Sequence, residues 1–188
     1  MSHHFRMKDL IGRFRRDRRG VSAVEFALIA PLLITMFFGL GELGQALMAQ
    51  RRVSHIASTI GDLTAQSTAV NSTSMNDDLT VAQIMIKPFS SSTLGMRITS
   101  VTADANQITK VDWSQSPGST MTPLATGSTV TLPTGLISAA GDSVIMSETT
   151  YTFVSPVGIV LPHGLSFSEK FYFRPRKTAT VTFTTSGS

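Results

Sequence analysis

At 188 residues the chain has room for one compact domain and an anchor. It contains no cysteine, which excludes disulfide bracing and thiol chemistry. The formal net charge of +4 hides an asymmetry: residues 1–20 carry a net +5 and residues 21–188 a net −1, so a nucleic-acid patch on the main body is not supported.

The first segment, residues 1–20, reads as a disposable basic leader rather than fold. Its His3-His4 pair has no other ligands nearby, and its arginines Arg13, Arg15, Arg16, Arg18 and Arg19 run up to Gly20. The 21 residues from Val21 to Gly41 then hold a single charge, Glu25. That length matches the ~20 residues a helix rising ~1.5 Å per residue needs to cross a ~30 Å hydrocarbon core. A carboxylate in such a segment is disfavoured by desolvation and faces a partner rather than lipid. Basic residues flanking a span stay in the cytoplasm, so the leader predicts a cytoplasmic N-terminus and a body outside the inner membrane. Arg51 and Arg52 on the far side are outnumbered. A secretory signal peptide is the main competitor, with Gly44-Gln45-Ala46 as a weak cleavage site, but the helical pattern runs straight through it.

Gly20-Val21-Ser22-Ala23-Val24-Glu25-Phe26, set between a basic leader and an apolar helix, resembles the processing site of the type IV pilin superfamily. Its alanine- and valine-rich segment and Glu-Phe pair are most similar to TadE-like minor pseudopilins of the tight-adherence (Tad/Flp) system, over about Arg15 to Ala49. The resemblance implies a prepilin peptidase cut between Gly20 and Val21, with Val21 as a new, methylated N-terminus. It implies that Glu25 and Phe26 serve subunit docking, and that the partners are other pilin and pseudopilin subunits, the inner-membrane assembly platform and the secretion ATPase. The electrostatics agree with it. A cut at Gly20 leaves a positive amine at a helix N-terminus, where the macrodipole disfavours it, and Glu25 stands one turn on to neutralise it in its own chain or a neighbour's.

Beyond the apolar run, Ala49, Val53, Ile56, Ile60 and Leu63 recur at helical spacing and predict one buried stripe on a helix from about Ser22 to Ala65, kinked rather than broken at Pro31. Gln66–Asp77 reads as a polar loop. Asp78–Lys87 reads as a short helix capped by Asp77 or Asp78, ended by Pro88, with Val81, Ile84 and Met85 inward. After Ser90 the composition favours strands. Met96–Ala103 and Gln107–Trp113 flank a turn at Asp104-Ala105-Asn106, and Ser114–Gly141 is a long irregular excursion. Ser143–Val154 and Leu165–Phe173 are the best long strands, the second with Phe167, Phe171 and Phe173 on one face. In the tail, Ala179, Val181 and Phe183 alternate with threonines as a half-buried strand. The sole tryptophan, Trp113, reads as a core plug.

Several motifs fail in context. Gly39-Leu40-Gly41-Glu42-Leu43-Gly44 spells a dinucleotide fingerprint but lies inside an apolar helix. His55 and His163 lack metal spacing, so neither a metal nor a cofactor is expected. Nothing in the sequence brings Glu148 and Glu169 together as an acid–base pair, and the basic turn Arg174-Pro175-Arg176-Lys177 reads as solvated. Asn71-Ser72-Thr73 matches a glycosylation sequon by chance.

The expectation is an α+β, pilin-like protein with a long N-terminal membrane and spine helix packed on a small antiparallel sheet. Its parts are a leader (1–20), a transmembrane and spine helix (21–66) and an extracytoplasmic β-rich domain (67–188). It is expected to be a minor pseudopilin and not an enzyme. The rivals are an uncleaved TadG-like anchored accessory protein, an anchored adhesin or binding module, and a membrane-tethered hydrolase for which no catalytic set is evident.

Overall fold

The computed structural model describes residues 19–118 and 120–185. Helix α1 (Arg19–Gln66) runs for 48 residues, ~72 Å at ~1.5 Å per residue. It continues through Pro31, whose carbonyl also accepts a bond from Thr35 Oγ1 at 2.8 Å. After it come β1 (Ala69–Asn71), α2 (Ser72–Met85), β2 (Gly95–Ala103), β3 (Thr109–Gln115), β4 (Ser143–Phe153), β5 (Leu165–Phe173) and β6 (Thr182–Thr184). The main sheet is antiparallel in the order β3-β2-β4-β5, and β1 pairs with β6 in a separate parallel ribbon. A long helix packed on a small antiparallel sheet is the expected α+β architecture.

The second half of α1 lies across the sheet because one side of it is apolar and small. Gly39, Glu42, Ala46, Ala49, Val53, Ile56 and Ile60 are buried at steps of three or four residues. Closest approach comes at Gly61, where an added Cβ would stand 2.6 Å or less from the Phe173 ring and 2.8 Å from Ser147 Cβ. Leu63, expected inside, is 44% exposed, while Thr64 and Ala65 are buried in its place. A repeat of alternating threes and fours lags the 3.6-residue turn, so the contact line drifts by about 20° per heptad and has passed to position 64 by then.

Register fixes the faces of the sheet. Ser147 faces α1, and with it Ile145, Tyr151 and Phe153 on β4, Ile98 on β2 and the three phenylalanines of β5. On the far face Glu148 lies between Arg97 (2.6 Å) and Lys170 (2.7 Å), under the 116–142 excursion, whose Thr122 carbonyl accepts from Arg97. Trp113 is buried and donates from Nε1 to the Val181 carbonyl at 2.7 Å, which plugs the core where the tail crosses.

Two elements differ from expectation. The polar run is mostly helix, because Asn71 caps it in a reciprocal box with Ser74 and moves the start upstream of Asp77. Its inward residues are Met75 and Ala82, whereas Val81 and Ile84 are exposed. In the tail, strand pairing is confined to Thr182–Thr184 and made with β1, so Val181 is buried but Ala179 is exposed.

Candidate functional site

Gly20, Val21, Glu25 and Phe26 all lie within the helical backbone of α1. All four of Gly20, Val21, Glu25 and Phe26 are exposed, Phe26 at 68%, and a Cβ built on Gly20 meets nothing within 4 Å. Residues 21–38 are exposed except for Ala30, which is intermediate. Val21 and Glu25 are four residues apart, so their side chains share one helix face. Leader arginines Arg13, Arg15, Arg16 and Arg18 lie outside the described residues.

At the other end of the bare segment the structure places a carboxylate that the sequence reading passed over. Glu42 is 1% exposed, and its Oε1 accepts the backbone N–H of Ile159 at 2.7 Å while Oε2 accepts those of Val160 and Leu161 at 3.0 and 2.8 Å. Burial opposes ionisation here, and the three N–H donors compensate the charged form. Three successive amides converging on one anion form a nest, and this one ties the 155–164 loop to α1. Gly39, one turn before, is needed for the approach, since a Cβ there would stand 2.7 Å from Val160 Cγ2. Gly41 and Gly44, the other glycines of the apparent dinucleotide motif, face open space.

Counting back from Ala49 at steps of three and four reaches Ala46, Glu42 and Gly39, so helical periodicity already put Glu42 on the buried stripe. Its partners had no signal, because they are main-chain groups 117 to 119 residues away.

The remaining candidates hold structure together. Glu148 belongs to the Arg97–Lys170 cluster, while Glu169 pairs in register with Thr149 and so lies on the opposite face of the sheet. In the basic turn, Arg176 ion-pairs with Asp62 and its backbone N–H donates to the Ala65 carbonyl, and Arg174 donates to the Leu136 carbonyl. That turn therefore straps β5 to α1 instead of standing wholly solvated. His55 contacts only Thr59 through its ring nitrogen, at 3.3 Å, and no metal-binding cluster occurs among the described residues.

The fold and this geometry define a class: a head of α+β structure built on the second half of one long helix, whose first half is apolar enough to be a membrane span and is uncovered by its own chain. Within that class, residues 20–61 match the family model described as TadE-like protein, consistent with a TadE-like protein of the Tad pilus system. The match begins at the glycine of the suspected cut, includes Glu25, Phe26, Gly39 and Glu42, and ends at Gly61, before the sheet. No curated protein and no solved structure matches the chain.

Proposed function

We propose that the chain is a minor pseudopilin of the TadE type, a substrate of processing rather than a catalyst. It is inserted in the bacterial inner membrane by the first half of α1, with its N-terminus cytoplasmic and its head outside. A prepilin peptidase cuts it after Gly20, and the Val21 amine, methylated, meets Glu25 of its own or a neighbouring subunit. It then supports assembly of a Tad/Flp pilus or secretion apparatus with other pilin subunits, the inner-membrane platform and its ATPase. The observation that carries this reading is that the TadE-like match, residues 20–61, takes in an apolar helical stretch that its own chain leaves bare as far as Phe38. A carboxylate displayed on such a surface needs a cation from elsewhere.

One observation favours the rival, an uncleaved TadG-like anchor: Arg19, Gly20 and Val21 are all helical, so the Gly20–Val21 bond lies within helical backbone. Two substitutions in the native host separate the readings. Under the pseudopilin reading Gly20→Arg blocks processing, whereas Glu25→Ala leaves it largely intact and impairs assembly. Normal assembly with Glu25→Ala removes the pairing role, and a wild-type chain as unprocessed as Gly20→Arg favours the anchor.

A further inference from the structure

The loop after β4 carries exposed apolar side chains at the wrong height for a water-facing turn. Val157, Ile159 and Val160 are 48%, 47% and 43% exposed. Val160 rests on Gly39, two residues before the apolar run of α1 ends at Gly41, hence about 3 Å inside that end at ~1.5 Å per residue. The same level of α1 exposes Leu40 and Leu43, so helix and loop form one continuous apolar surface.

Main-chain polarity tells the same story. Between Pro156 and Pro162, neither of which has an N–H, Val157 and Gly158 donate to Ser155 Oγ at 3.3 and 3.2 Å, and Ile159, Val160 and Leu161 donate to Glu42. Every N–H of the tip thus has a partner within the protein, which removes the donors' share of the cost of leaving water, while its carbonyls can stay at the level of the polar headgroups. The Glu42 carboxylate, expensive at the edge of a hydrocarbon layer, is satisfied by the same bonds.

We infer that this loop is a second membrane contact: Val157, Ile159 and Val160 insert into the outer-leaflet interface beside α1 and fix the head against the bilayer. The occupant is lipid, because the loop joins the membrane-spanning surface where Val160 meets Gly39, inside the end of the apolar run. A neighbouring subunit is the alternative the test must separate. The inference rests on the membrane-anchored reading above.

The absence of native cysteine makes the test clean. Val157→Cys and Ile159→Cys, with Leu33→Cys in the span and Asn106→Cys on the distant β2–β3 turn as references, are labelled with an environment-sensitive fluorophore. The full-length chain is reconstituted in phosphatidylethanolamine–phosphatidylglycerol vesicles, with nitroxide quenchers either on the lipid or in the water. The expected result is severalfold stronger lipid quenching at 157 and 159 than at 106, at shallower depth than at 33. Lipid quenching at 33 but water quenching at 157 and 159 overturns the loop contact alone. Protection of the loop labels from both quenchers places a protein neighbour there and also overturns it. Water quenching at 33 as well removes the membrane reading together with the inference.

Discussion

The two halves of α1 are continuous in backbone and opposite in surroundings. Before Gly39 the helix exposes most of its large apolar side chains, with Leu28 at 75% and Phe37 at 72%. From Gly39 onward one face carries mostly Gly, Ala, Val and Ile, with Glu42 and Thr64 buried among them, and lies against the rest of the head, while Arg51, Arg52 and His55 stay outside. Hydrophobicity alone therefore does not mark what the head buries. Small residues let the sheet approach, and large residues all round the helix are reserved for a solvent or partner that the chain does not supply.

The sharpest way to break this contrast is to shorten one aliphatic residue in each half. Ile60→Ala, at a fully buried position, should destabilise the head by about 2–5 kcal/mol. Leu33→Ala, at 54% exposure, should leave its unfolding unchanged, since nothing in the head touches that position. Denaturant titration of the full chain in detergent, followed by fluorescence of the buried Trp113, reads both.

Glycine substitutions sharpen the same contrast at smaller scale. Gly61→Ala drives a methyl into the Phe173 ring and should cost about 1–3 kcal/mol. Gly44→Ala, facing open space in the same helix, should be neutral or stabilising by up to about 1 kcal/mol through helix propensity. The same titration compares them, and equal effects would contradict the close approach of the sheet at Gly61.

A third prediction concerns the covering elements. Burial, and then the neighbouring Asp77 charge, push the Asp78 carboxyl up to about 6. A carboxyl raised above its unfolded value opposes folding when ionised, so its cost is absent below about pH 4, grows up to about pH 6 and is complete above. Asp78→Asn should therefore stabilise the head at neutral pH by on the order of 1 kcal/mol, after discounting for its partial exposure, with no gain in acid. Melting curves of both proteins across that range check the sign. The smallest effect belongs to Arg176→Ala, which removes a largely exposed ion pair with Asp62 and should cost no more than ~1 kcal/mol in the same assay.

Periodicity made the long helix and β5 legible, and strand-favouring composition did the same for β2 and β4, which are buried on both faces and show no alternation. The start of α2 was not legible, since Ser72, Thr73 and Ser74 read as loop until Asn71 is seen to cap them. β6 needed a partner, β1, which is three residues long and itself lies in a polar run. Of the candidate site, Gly20, Val21, Glu25 and Phe26 are proposed from a local motif. Glu42 was hidden by a misleading one, and its backbone partners carry no residue-type signature. Local chemistry leaves a mark in sequence, whereas a contact made by main-chain amides of a distant loop does not.

Intact-mass and N-terminal analysis of the full-length gene product, recovered from the envelope of its native cell, addresses the central claim most directly. The account predicts a mature chain that starts at Val21 with a methylated amine. A protein that retains Gly20 and the arginines before it, in cells where the prepilin peptidase is active, would contradict it.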